Sequence, residues 1–394
     1  MQKLAPLMVG ILTAWLGLAQ AQQPDYIIQS NAAPQTPLGA SLVPPAVSPV
    51  KITPAAPRIE ASAAAAQPSS APLAVAASAP LAVAGKGNGK LRIGLILPTE
   101  SKDFGEAAQV VRAGFEAAAA VDDSHADVVF VPEQQSDIVA RYRSVVASGV
   151  RVVVGPLTRQ GIAAVAPYVS VPTLALNALE PGEPRNPKLI SLSLIVEGEA
   201  RQMAHLMQDD GRQHPLVVAT SDVLSHRLAQ AFVAEWQKLS GETPTVLDWP
   251  FDGSMSATLA QADSLFIAMT PPEAAALKAA VPETLTVYAT SQLNTRKPDS
   301  ALAGVRFIDM PWFLMPEQPE VKRYPRPQAA LTMQTERLYA LGIDAYRLAV
   351  QMSSGKWTPA TLRLHGVTGD LKLGRDRQFE RSLPLAVMLP DNMQ

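Results

Sequence analysis

After Lys90 the chain alternates short unbroken runs of Val, Ile and Leu with stretches that are apolar at helical spacing, and this pattern constrains the fold more than any other feature. A strand apolar at every position is buried on both faces. Successive strands separated by helices run parallel, so the pattern calls for a parallel sheet covered on both sides. The first series reads as strands at Leu91–Pro98, Asp127–Val131, Arg151–Gly155 and Thr173–Leu176. Between them come a helix through Ala108, Val111, Phe115 and Ala118, then helices around 139–147 and 161–168. Asp103 and Glu106 stand in capping-box register ahead of the first helix.

A second series starts with a helix over Glu199–Met207, a strand at Leu216–Ala219 and a long helix over Leu224–Leu239. Strands follow at Thr245–Asp248, Ser264–Ala268 and Thr286–Ala289, with a Pro271-initiated helix before the last. The tail adds the strand in "GVRFIDMPWFL", which runs into an aromatic turn at Pro311, Trp312 and Phe313, then a long helix through Leu338, Leu341, Ala345 and Met352. The turn is a candidate exposed contact, although for Trp312 itself buried packing against the C-terminal helix is the expected role. Period-2 stretches around Gly374-Arg375-Asp376-Arg377 read as a closing β-hairpin. The expected architecture is α/β, with two doubly wound parallel-sheet lobes and a C-terminal β-hairpin. Residues 90–194 plus about 309–394 form one lobe and 195–308 the other, with hinge crossings near Leu194 and Asp309.

The N-terminus carries Lys3, an apolar run from Leu4 to Leu18 and the small-x-small triplet Ala19-Gln20-Ala21. This predicts a secretory signal peptide cut after Ala21, against the alternative of a retained anchor. Residues 22–89 are dominated by Pro, Ala, Ser and Val and read as a disordered tether. The "GKGNGK" cluster at its end precedes the first strand, whereas a phosphate loop must follow one. The absence of cysteine removes disulfides, thiolate metal sites, thiol nucleophiles and lipid attachment through an N-terminal cysteine. An exported, disulfide-free chain fits the periplasm. A formal net charge of -2 offers no basic surface for nucleic acid.

Catalytic constellations are wanting. The five histidines are scattered, no H-E-x-x-H or G-x-S-x-G occurs, and no metal or cofactor is expected. Ser353 and Lys356 have S-x-x-K spacing, but at a helix end and without the companion motifs. What remains is positional. Ligands of open parallel sheets bind beyond the carboxyl ends of the strands, where helix N-termini present unpaired N–H groups. In this chain those places hold Ser101, Leu157, Thr158, Asn177, Ser221, Asp222 and Ser291, which are suited mainly to hydrogen-bonding a small amino-acid-like solute between two lobes. For each of them, helix capping is the competing role.

The segments "RIGLILPTESKDFGEAAQVVRAGFEAA", "VVVGPLTRQGIAAVA", "PTLALN", "GVRFIDMPW", "RLYALGIDAYRLA" and "GVTGDLKLGRDRQFER" together resemble the LppC family of bacterial envelope proteins over about 90–388. The resemblance implies a type I periplasmic-binding-protein fold related to branched-chain amino-acid receptors. It also implies a non-enzymatic activator that contacts a class A penicillin-binding protein and stimulates peptidoglycan synthesis. Two departures stand out: there is no cysteine to acylate, and a Pro/Ala stretch occupies the place of a helical-repeat domain. Two functions follow as expectations, a cell-wall regulator and a solute receptor that closes on its ligand.

Overall fold

A computed structural model describes residues 26–29 (backbone), 90–134, 136–179, 186–251 and 256–391. The expected signal peptide and nearly all of the expected tether lie outside the described residues.

The first sheet contains β2 (Arg92–Leu97), β3 (Asp127–Pro132), β4 (Val152–Val154), β5 (Thr173–Ala175) and β6 (Leu189–Ser191), ordered β3-β2-β4-β5-β6 and parallel throughout. Its helices are α1 (Gly105–Val121), α2 (Ile138–Ala147) and α3 (Arg159–Val165). Successive strand residues serve opposite layers: Ile93, Leu95 and Leu97 pack with α1, while Ile96 joins Ile138, Tyr142 and Ile162 of α2 and α3. This is the doubly wound arrangement that the apolar strands called for.

The second lobe repeats that order. Strands β7 (Pro215–Ala219), β8 (Thr245–Asp248), β9 (Ser264–Ala268), β10 (Thr286–Ala289) and β11 (Arg306–Ile308) lie as β8-β7-β9-β10-β11. Helices α4 (Glu197–Asp209) and α5 (Val223–Ser240) cover one face. The short α6 (Ser256–Leu259) and α7 (Pro271–Ala280) pack on the other. Two further strands extend the sheet beyond β11: β15 (Leu385–Met388), antiparallel to β11, and β1 (Tyr26–Gln29), antiparallel to β15.

These two strands depart from the sequence reading. The grouping by sequence placed everything after about residue 309 with the first lobe, yet β15 belongs to the second sheet. Its partner β11 is far away along the chain, and nothing local to "LAVM" names it. Tyr26–Gln29 falls inside the expected tether but forms a strand. Its "YIIQ" is an aromatic and β-branched run free of proline, which favours extended pairing.

After β11 the chain forms two single-turn helices, α8 (Pro311–Leu314) and α9 (Pro319–Lys322), and then α10 (Met333–Ser353). An antiparallel sheet of β12 (Arg363–His365), β13 (Asp370–Leu373) and β14 (Phe379–Ser382) follows, with the Gly374–Arg377 turn joining β13 to β14. The closing element is therefore three-stranded, and its chain continues into the other lobe. The aromatic turn is a buried helical turn: Trp312 is fully inaccessible and packs against Tyr339 of α10, the role expected for it, while the burial of Phe313 corrects the reading of the turn as an exposed contact. The expected Asp103–Glu106 capping box does not form. Phe104 is the residue before α1, and the Ser101 hydroxyl accepts the Asp103 and Phe104 N–H groups instead. A capping box does occur at Thr270 and Glu273, ahead of α7.

Helix α10 completes the first lobe by crossing α1 at a pair of glycines. A Cβ on Gly114 would lie 1.9 Å from the Tyr339 carbonyl oxygen, and one on Gly342 would lie 2.0 Å from that of Val111. The two backbones touch, and Phe115 meets Tyr346 edge-on at 5.2 Å beside them. On an exposed helix Gly→Ala gains up to about 1 kcal/mol. Here Gly342→Ala is expected to lose roughly 1–3 kcal/mol by overpacking, measured as a fall in the denaturant midpoint, while Gly198→Ala, with only Arg201 nearby, does not.

Candidate functional site

In each sheet the chain reverses direction of winding beside its first strand, and this places the switch points after β2 and β4 in one lobe and after β7 and β9 in the other. The loops there carry most of the candidate residues. In the first lobe they are organised by a residue that the sequence reading missed, Glu133, which sits just beyond β3 and is nearly inaccessible. One carboxylate oxygen accepts the Leu157 N–H at 3.0 Å and the other accepts the Thr158 hydroxyl. Thr158 in turn accepts the Gly161 N–H at 3.0 Å and so caps α3. Burial raises the pKa of Glu133, opposed by these bonds from Thr158 and Leu157. Asn177 donates to the Leu157 carbonyl at 3.1 Å and accepts the Ala178 N–H at 2.8 Å. Leu157, Thr158 and Asn177 thus form one connected group, while Ser101 stands in its own turn with its oxygen engaged by two backbone N–H groups. A signal for Glu133 existed only in its position, one residue past an apolar strand.

In the second lobe Ser221 is exposed. Asp222 caps α5 by accepting the Leu224 and Ser225 N–H groups at 2.9 and 3.2 Å. Ser291, after β10, is buried and held through its backbone, with its N–H on Glu199 at 3.0 Å and its carbonyl on Arg337 at 3.0 Å. Surface cavities of this lobe lie elsewhere. One is bounded by Gln213, His214, Trp236 and Glu242 and another by Lys278, Glu283 and Arg306, so neither touches the candidate residues.

Between the lobes lies a cluster of charged side chains. The chain passes from sheet to sheet around Leu192–Val196, at Asp309 and at Leu383, the last a third crossing that the sequence reading did not anticipate. Asp309 is completely buried. One of its oxygens accepts Arg337 at 2.7 Å and Asn294 at 2.9 Å, and the other accepts the Met310 N–H at 2.7 Å. Arg381 of β14 stands 3.5 Å from Glu199 of α4. Gln202 of α4 grips Leu383 through both backbone groups, at 2.7 and 2.9 Å. Burial pushes the Asp309 carboxyl up to about 6; the Arg337 charge opposes this and the Glu199 charge adds to it. Burial likewise lowers the pKa of Arg381, against the pull of Glu199 and Asp309.

Little of this is equipped for bond breaking. The Ser353 hydroxyl donates to the Val350 carbonyl at 2.6 Å, which absorbs the S-x-x-K serine into the end of α10. His205 pairs with Glu235 and exposed His365 with Asp370. Among the described residues no group of three or more His, Cys, Asp or Glu could hold a metal ion, and no helix is long and apolar enough to cross a membrane.

Two sheets of the same winding, joined by crossings between them, define a two-lobed protein of the type I periplasmic-binding-protein fold. Residues 87–249 and 253–387 match the family described as "LppC putative lipoprotein", and the chain belongs to that family. It is 56% identical to a structure described as a "putative branched-chain amino acid ABC transporter" from Chromobacterium violaceum, over 76% of this chain and 100% of that one, with a TM-score of 0.71. It is 26% identical to the C-domain of LpoA from Haemophilus influenzae, described as a regulator of PBP1A, over 76% of this chain and 97% of that one, with a TM-score of 0.63. The penicillin-binding protein activator LpoA of Pasteurella multocida is 26% identical over 305 residues, 74% of this chain and 52% of the relative. The chain spans about half the length of the curated relatives it matches.

The raised pKa of Asp309 has a testable consequence. A carboxyl whose folded pKa of about 6 lies above the ordinary 3.8 binds its proton more tightly when folded. Its contribution to stability is full below about 3.8 and is lost as pH rises through about 6, on the order of 3 kcal/mol. Asp309→Asn removes that dependence, so the difference in Tm between variant and wild type is expected to shift in the variant's favour from pH 4 to pH 7. Thermal unfolding of both proteins across this range measures it, and parallel profiles would refute the assignment.

Proposed function

We propose that the protein is a non-enzymatic periplasmic regulator that binds a class A penicillin-binding protein and stimulates peptidoglycan synthesis. The observation that carries this reading is the match to the LpoA C-domain over nearly all of that domain, together with the LppC family assignment. The site chemistry agrees with it: Ser101, Thr158 and Asp222 are engaged in turns and helix caps, and Ser291 is held in the charged junction. Export by a signal peptide cut after Ala21, and a tether over 22–89 within which Tyr26–Gln29 pairs with β15, complete the proposed organisation. The test uses the exported chain with purified class A synthases of the same cell. Capture of a synthase with faster polymerisation of its lipid-linked substrate is the expected result. If no class A synthase is captured and none is accelerated, the proposal falls.

The 56% identity to the Chromobacterium violaceum structure favours a second reading, a receptor for an amino-acid-like solute. Ser101, Leu157, Thr158, Asn177, Ser221, Asp222 and Ser291 are the residues proposed to meet such a ligand. A solute at about a hundred times its Kd stabilises the fold by about 2.7 kcal/mol. Thermal-shift screening against branched-chain amino acids and muropeptides separates the readings: a rise in Tm supports the receptor, and no rise with any of them counts against it.

A further inference from the structure

The charged groups at the junction have a feature that neither function uses. Glu336 and Arg337 are consecutive on α10, both nearly buried, and both reach across to the second lobe. Glu336 accepts Arg296, which follows β10 in the second lobe and holds a left-handed backbone at φ 63°. On its own side Glu336 accepts the Trp312 indole N–H at 2.8 Å and stands 3.6 Å from Arg326. Arg337 reaches the Ser291 carbonyl of the second lobe and the Asp309 carboxylate on the crossing. The other crossings are fastened as well, with Arg381 on the Ile195 carbonyl and Gln202 on Leu383.

We propose that the two lobes are latched in one arrangement by the chain's own side chains. Adjacent Glu336 and Arg337 supply the anion and the cation with which a zwitterionic solute would bridge two lobes. Burying these charges is not a route to stability in itself, and the Arg337 Nε has no partner among the described residues. What the contacts that span the lobes do secure is a single relative position, since Glu336–Arg296 and Arg337–Ser291 both fail if either lobe rotates. The domain therefore presents a fixed surface rather than a hinge awaiting a ligand, whichever partner it meets.

The chain has no cysteine, so paired spin labels can be placed at will. Ala163→Cys on α3 and Gln230→Cys on α5 are exposed positions, one in each lobe. Pulsed dipolar spectroscopy of the labelled protein is expected to give one narrow distance distribution that leucine and muropeptides leave unchanged. Adding Glu336→Gln, or Arg296→Ala at the half-exposed end of the latch, is expected to bring in a second distance for roughly a tenth or more of the molecules. Cooperative unfolding is checked for each variant, and Arg296→Ala alone decides if Glu336→Gln does not fold. A broad or bimodal distribution with the latch intact would overturn the proposal. So would a shift on adding solute, or a folded latch variant indistinguishable from wild type.

Discussion

A carboxylate with no access to water sits where the chain crosses between its two sheets, and the arrangement of the lobes depends on how that charge is satisfied. Asp309 receives a guanidinium from α10, an amide from the second lobe and a backbone N–H from its own neighbour. Removing any one donor leaves a buried charge short of partners, a far larger penalty than the loss of a surface pair. One side chain thus ties both lobes to the crossing segment, and the neighbouring pairs Glu199–Arg381 and Glu336–Arg296 repeat the device around it.

The same logic separates this junction from the loops at the switch points. In the loops, polar side chains close local turns: Thr158 caps α3, Asp222 caps α5 and Ser101 holds the approach to α1. Their partners lie within three residues, or on the adjacent Glu133, and they would look much the same in either lobe alone. At the junction the partners are remote in sequence, and the contacts have meaning only when both lobes are present.

That contrast also explains what could be read from the sequence. Strands β2, β4, β7 and β9 were legible because every residue in them except Arg92, at the start of β2, is apolar or small, and a buried parallel strand leaves that mark without reference to its neighbours. The stripe of Ala108, Val111, Phe115 and Ala118 announced α1 in the same way. Placing candidate residues at strand ends followed from topology, and that rule located Leu157, Thr158 and Asn177, which the fold does bring together. Illegible were the features made by distant partners. Glu133 looked like any residue after a strand, β15 gave no hint of crossing to β11, and Glu336 and Arg337 read as ordinary polar positions of a helix. The capping box at Asp103 does not form because α1 begins after Phe104, one residue later than that register requires, and the Asp103 N–H is taken by the Ser101 hydroxyl.

The glycine contact between α1 and α10 gives these observations a mechanical reading. Backbones in van der Waals register at Gly114 and Gly342 leave no side-chain cushion to absorb displacement. A side chain added at either glycine would have to force the helices apart, so this one contact sets how closely α10 lies on α1 and fixes the spacing of the layer they form.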